Sequence, residues 1–152
     1  MELVCHYPDV ECESLRRALA QAEGVPMESI ICGNGAADLI FGLALALKPA
    51  KALLPAPTFA EYEQALTACG CKTEYYFLSE EEGFRPGEGF LDHIGKDMDM
   101  VFFCNPNNPT GVAVEPEYLK KLAQRCRDTG TFLVLDECFE DFLEEAEKYS
   151  MK

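Results

Sequence analysis

Apolar and polar positions along this chain fall into short blocks whose period switches repeatedly between helix-like and strand-like. Residues 14–23 put Leu15, Ala18, Leu19 and Ala22 on one helical face, with Ser14 as the expected N-cap. Ser29-Ile30-Ile31-Cys32 is a short strand pattern stopped by Gly33. Residues 36–47 are apolar enough to predict a buried helix, closed by Lys48-Pro49. Residues 52–54 predict a strand that Pro55-Ala56-Pro57 stops, and Thr58 is the expected cap of a helix running to about residue 68, ended by Cys69-Gly70. A strand at 72–78, an acidic surface loop at 80–89 and a weak helix at 90–95 follow. Residues 100–104 read as a strand, 116–128 as an amphipathic helix with proline in its first turn, and 131–135 as a buried strand. The tail at 139–149 is helix-compatible with a thin apolar face. Alternating strands and helices of this kind predict an α/β fold of three layers, αβα, around a mostly parallel sheet.

At 152 residues and 48% hydrophobic content, the chain is long and apolar enough for a real core and is at most one domain or a part of one. A formal net charge of −14 argues against nucleic acid or an anionic membrane surface as partner. No apolar run approaches the length needed to span a bilayer. The eight cysteines are scattered, with one Cys-x-Cys and only His6 and His93 to join them, so reduced thiols in a cytoplasmic protein are expected rather than a disulfide framework or a metal site. Cys104 and Cys126 lie in apolar segments, where a thiol behaves as a small hydrophobe.

Chemistry concentrates where predicted strands end. Gly33-Asn34-Gly35-Ala36-Ala37-Asp38 joins a strand pattern to a helix, a turn whose glycines let backbone N–H groups and a helix dipole approach an anion. Asp38 stands where a dinucleotide fingerprint would need its third glycine, which disfavours a nucleotide-binding βαβ domain. Pro57-Thr58-Phe59 brings an aromatic to a second strand end. Asn105-Pro106-Asn107-Asn108-Pro109-Thr110-Gly111 follows the apolar run Val101-Phe102-Phe103-Cys104, and the run at 132–135 delivers Asp136 and Glu137. A carboxylate delivered by an apolar strand is costly to bury unless it is paired.

Taken in order, Tyr7-Pro8-Asp9, Gly33-Asn34-Gly35, Pro57-Thr58-Phe59, residues 105–111 and Asp136-Glu137 resemble the pyridoxal-phosphate (PLP)-dependent aminotransferases of class I/II, fold type I. Two branches carry a similar set, the histidinol-phosphate aminotransferases and the threonine-phosphate decarboxylases. Phe59-Ala60-Glu61-Tyr62 and Asp136-Glu137-Cys138-Phe139-Glu140-Asp141-Phe142 are closer to the decarboxylases. The resemblance implies an enzyme acting on a phosphorylated amino acid with PLP as electron sink, and a homodimer. It implies that backbone amides of Gly35, Ala36 and Ala37 hold the cofactor phosphate, that Phe59 stacks on the pyridine ring, that Asn108 meets the ring oxygen and that Asp136 pairs with the ring nitrogen. Tyr7 would reach the neighbouring subunit's cofactor. Phe139 stands where many aminotransferases have tyrosine, which weakens the transaminase reading, and Glu140 is a charge where an apolar residue is usual.

By the same resemblance, residues 1–152 are part of a large cofactor-binding domain. The N-terminal arm, the Schiff-base lysine region and the small C-terminal domain are expected to lie outside it, with no catalytic residue inside it. Lys148 and Lys152 come too early after Asp136 to be that lysine. The chain is therefore expected to be a fragment inactive alone, for which PLP belongs to the full-length family, or else a non-catalytic dimerisation module.

Overall fold

The computed structural model of the chain describes residues 7–151, at 146 and 147 the backbone only. Four strands form one sheet: β1 (Lys51–Ala56), β2 (Lys72–Phe77), β3 (Met100–Cys104) and β4 (Phe132–Asp136). Their order is β2-β1-β3-β4 and every pairing is parallel. The central strands explain their own composition. Every residue of β3 is buried, and β1 is buried at its four inner positions, as strands covered on both faces require. The edge strands β2 and β4 are only partly buried, so β4 is less buried than its apolar run predicts.

Side chains alternate across the sheet and build two cores. On one face, Ala52 and Leu54 of β1 and Met100, Phe102 and Cys104 of β3 pack with Ile40 and Ala44 of α2 (Ala36–Leu47) and Tyr62, Ala65 and Leu66 of α3 (Ala60–Ala68). On the other, Leu53, Val101 and Phe103 pack with Phe90 and Leu91 of α4 (Glu88–Asp92) and Leu119, Leu122 and Cys126 of α5 (Pro116–Thr129). The three-layer αβα arrangement follows directly, and Cys104 and Cys126 take the core positions expected of them.

Several local expectations are corrected. Residues 29–32 form no strand: a 3-10 turn occupies Met27–Ser29, no described strand lies beside Ile31, and that side chain is 76% exposed. Arg16 instead donates from Nε to the Ile30 carbonyl at 2.9 Å. Helix α2 has the expected bounds, yet only Ile40 and Ala44 are buried, since one face alone meets α3 and the sheet while Leu39, Leu45 and Leu47 remain exposed. Pro55 does not stop β1. Pairing with β3 covers only Ala52 and Leu53, so Pro55 lies past that ladder, where its missing N–H removes nothing from it. Thr58 does not cap α3; Phe59 holds the N-cap position and the Thr58 hydroxyl is used elsewhere.

Ser14 does not cap α1 (Glu13–Glu23) either. Asp9 supplies the cap, its carboxylate accepting from the Glu11 N–H at 3.1 Å and the Glu13 N–H at 2.8 Å. Because α1 buries no residue, losing this cap should fray the helix without unfolding the domain. Asp9→Ala is expected to cost about 1 kcal/mol locally, read as roughly five-fold faster amide exchange across α1 with an unchanged global melting midpoint. The tail contains a 3-10 turn at Glu140–Phe142 and one helical turn, α6 (Ala146–Tyr149).

Candidate functional site

From β1 the chain moves outward to β2, then returns to the opposite side of β1 to form β3. At this reversal the loops leaving the carboxyl ends of β1 and β3 diverge to opposite faces and open a crevice, which is where ligands bind in open α/β sheets. Asn107 pins the two loops together. Its Nδ2 donates to the Pro57 carbonyl at 3.0 Å and to Thr110 Oγ1 at 2.9 Å, and its Oδ1 accepts from Thr58 Oγ1 at 3.1 Å. The Gly111 N–H closes the turn on the Asn107 carbonyl at 2.7 Å, with Gly111 at φ +69°. Asn108 takes no part in these bonds. Its side chain lines a cleft of about 350 Å³ with Pro106, Phe139 and Phe142.

One strand further along, Asp136 ends β4 level with Cys104. Its Oδ2 accepts from the Tyr62 hydroxyl at 2.5 Å, and its Oδ1 accepts from the Cys138 N–H at 3.0 Å. Tyr62 is fully buried, stacked on Phe102 with centroids 4.9 Å apart and edge-on to Phe59 at 5.7 Å. Burial first, and then the bond to Asp136, push the Tyr62 phenol far above its ordinary range. Burial also raises the Cys104 thiol, which bonds to the Pro106 carbonyl at 3.2 Å.

Cys138 is exposed as a residue, but its thiol is turned against Asp136, and burial followed by that carboxylate pushes it up to about 12. The reactive thiolate is therefore scarce at neutral pH and grows only as pH rises toward that value. Alkylation of Cys138 at pH 8 is expected to run on the order of a hundred-fold slower than that of a free thiol, with Asp136→Asn recovering part of the rate; peptide mass spectrometry after timed iodoacetamide exposure measures it.

The expected site residues fall as follows. Ala36 and Phe59 pack against the same core that contains Tyr62, Phe102 and Cys104, the face on which Tyr62 meets Asp136. Gly35 precedes α2 at φ +83°, with open space where a Cβ would stand; its N–H, expected to be free for a phosphate, donates to the Gly33 carbonyl at 3.0 Å, and among the described residues no side chain caps the amides of Ala36 and Ala37. Asp38 is turned back to the preceding loop, accepting from the Asn34 N–H at 3.0 Å. Asn108 and Phe139 share the cleft wall. Tyr7 stands apart from all of these, fully exposed ahead of α1, and His6 and Lys152 lie outside the described residues. Glu140, unusual for its charge, is buried. Lys148 pairs with Glu145 at 3.5 Å and lies over the Tyr149 ring, engaged in the tail rather than at Asp136.

Two residues of this arrangement carried no sequence signal of their own. Asn107 is of the same type as its neighbour Asn108, and Tyr62 enters the sequence reading only within the segment Phe59-Ala60-Glu61-Tyr62. A clue to Tyr62 was its spacing: three residues after Phe59, it shares that residue's helical face.

A profile of the family described as aminotransferase class I and II matches residues 3–151. The threonine-phosphate decarboxylase of Salmonella typhimurium is 38% identical over 143 residues, 94% of this chain and 39% of that protein. The histidinol-phosphate aminotransferase of Rubrobacter xylanophilus is 32% identical over 139 residues, covering 90% and 39%. Among solved structures, the L-threonine-O-3-phosphate decarboxylase from Porphyromonas gingivalis superposes with a TM-score of 0.76 at 29% identity, over 91% of this chain and 40% of that one. The chain thus spans about 39% of the length of the curated relatives it matches. It belongs to the class I and II aminotransferase family.

Full-length members of this family depend on PLP, and the residues present fit such a group. A twelve-residue helix offers an uncapped N-terminus to a phosphate. Asp136 is only partly buried and keeps acceptor capacity beyond the donors already on it. Asn108 lines the cleft, and Phe59 places an aromatic ring beside Tyr62. Among the described residues no helix is long and apolar enough to cross a membrane.

Proposed function

We propose that this chain is the cofactor-holding part of the large domain of a cytoplasmic, homodimeric PLP enzyme acting on a phosphorylated amino acid, closest in kind to a threonine-phosphate decarboxylase. The observation that carries the reading is the placement of Asp136. A carboxylate at a strand's carboxyl end, on the face of α3 and with acceptor capacity left over, suits a protonated ring nitrogen. Amides of Ala36 and Ala37 hold the phosphate, where the positive end of α2 favours an anion, while the Gly35 N–H is engaged by the Gly33 carbonyl at 3.0 Å. Phe59 covers one face of the ring, and Asn108 donates to the ring oxygen from the cleft wall. When bound, PLP supplies an electron sink for bonds at the substrate α-carbon. Tyr7, projecting free of its own subunit, is placed in this reading against the partner's cofactor phosphate.

The decarboxylase branch is supported by the 38% identity to threonine-phosphate decarboxylase and by Phe139, which brings no hydroxyl to the ring oxygen. The test compares two stable secondary amines, PLP reductively joined to O-phosphothreonine and to histidinol phosphate, each titrated into the chain by calorimetry. Tighter binding of the phosphothreonine adduct is expected. Tighter binding of the histidinol phosphate adduct moves the assignment to a transaminase, and no saturable binding of either removes the cofactor reading.

A further inference from the structure

Resting on the PLP reading, we propose that Tyr62 is a positioning residue that sets the Asp136 carboxylate for the ring nitrogen through a direct hydroxyl–carboxylate hydrogen bond. Nothing in the chemistry of α3 requires a hydroxyl here, because the ring alone satisfies the packing. It stacks on Phe102 with planes 14° apart, meets Phe59 edge-on at 79°, and is fully buried. A buried hydroxyl needs a partner, and this one reaches across 74 residues of sequence to Asp136 Oδ2 at 2.5 Å. That is the short end of the range for a hydroxyl on a carboxylate, where such bonds are strongest.

The consequence for Asp136 is orientational. The terminal torsion of an aspartate is broad and roughly two-fold, so an untethered carboxylate swings. Here one oxygen is held by Tyr62 and the other by the Cys138 N–H at 3.0 Å, which fixes the carboxylate plane. A carboxylate has about four lone-pair positions; with Tyr62, the Cys138 N–H and the Cys138 thiol on it, capacity remains for one ligand donor, and its direction is already set. The Tyr62 phenol, raised by burial and then by Asp136, keeps its proton through the range in which the site would work, so it stays a donor. Through Phe59, the same helix also supplies the aromatic for the ring face. One element therefore governs two of the expected ring contacts, and Tyr62 couples them to the strand end.

The experiment uses the full chain and three variants, Tyr62→Phe, Asp136→Asn and the double variant. Tyr62→Phe keeps the ring and removes only the hydroxyl. PLP affinity, followed by fluorescence titration, is expected to fall about ten-fold in Tyr62→Phe. In the Asp136→Asn background the same change should have less than about a two-fold effect, because Tyr62 acts through Asp136. An equal loss in both backgrounds would mean general packing and would overturn the proposal. A readout free of cofactor is the ¹³C resonance of the Asp136 carboxyl carbon, assigned by its loss in Asp136→Asn. It is expected to shift in Tyr62→Phe, and an unmoved resonance also overturns the proposal. In the unsubstituted chain, a Tyr62 hydroxyl proton shielded from exchange should appear well downfield and move upfield in Asp136→Asn, where its acceptor is no longer charged; its absence from the unsubstituted chain overturns the proposal even if Tyr62→Phe does not fold. If the unsubstituted chain binds no PLP, the proposed function fails, and the two resonances still decide whether Tyr62 holds Asp136.

Discussion

Replacing Phe102 with alanine is expected to remove about 3–5 kcal/mol of the stability of this chain. Phe102 sits in the middle of β3, fully buried, opposite Val134 in register and stacked on Tyr62. Around it the helices α2 and α3 contribute Ile40, Ala44, Ala65 and Leu66 to the same core. A buried phenylalanine truncated to alanine loses about 3–5 kcal/mol, from lost transfer energy plus the cavity left behind. The upper end applies where neighbours cannot collapse, and a site floored by a sheet paired on both sides has little freedom to do so. Domains of this size are stable by about 5–15 kcal/mol in total, so the loss is from about a fifth of the stability up to all of it. Urea denaturation should put the midpoint roughly 2 M lower. Phe77, 78% exposed on edge strand β2, is the control: Phe77→Ala should change stability by no more than about 0.5 kcal/mol. A loss at Phe102 comparable to that control would remove it from the core.

The same residue marks how far the fold is legible in the sequence. Five apolar residues ending at Asn105 define β3 to the residue, and the apolar block 36–47 defines both ends of α2. These succeed because the physics is local: a strand buried on both faces must be apolar throughout, and a helix must stop near Lys48-Pro49. Errors cluster where the outcome depends on something distant. Ser29-Ile30-Ile31-Cys32 has strand composition, but a strand exists only beside another, and none of the described strands lies there. Leu39, Leu45 and Leu47 look like core and are exposed, because burial requires a second surface, which the sequence pattern cannot supply. Caps failed for a related reason. Thr58 is a good cap by type, yet its hydroxyl finds Asn107, 49 residues away. Asp136 was legible as a carboxylate in need of a partner; that Tyr62 is one partner became visible only when the parallel register set Cys104 beside Asp136 under α3.

Asp136→Asn should have the largest effect on ligand binding, lowering PLP affinity by about a hundred-fold or more. The substitution preserves shape, and the asparagine carbonyl still accepts from Tyr62; the Cys138 N–H loses its acceptor, a single bond in the loop after β4, so the fold as a whole is kept. The larger change is on the side facing the ligand. A charged acceptor is replaced by a neutral group with one oxygen, already used by Tyr62 at 2.5 Å in the unsubstituted chain, and an NH₂ that cannot accept from a protonated nitrogen. Truncating one partner of a hydrogen-bonded charge pair typically costs about 2–5 kcal/mol, much of it from the charge left unpaired on the other side. Phe59→Ala provides the scale. A face-on aromatic contact contributes about 0.5–1.5 kcal/mol beyond its buried area, so its loss should weaken binding about ten-fold, clearly less than Asp136→Asn. Fluorescence titration of both variants against the unsubstituted chain gives the comparison, with pyridoxal lacking the phosphate as a second ligand. Because Asp136 acts on the ring and the α2 amides on the phosphate, the Asp136→Asn factor should be the same for both ligands. Affinity unchanged in Asp136→Asn would detach the carboxylate from the ring nitrogen and remove the observation on which the cofactor reading rests.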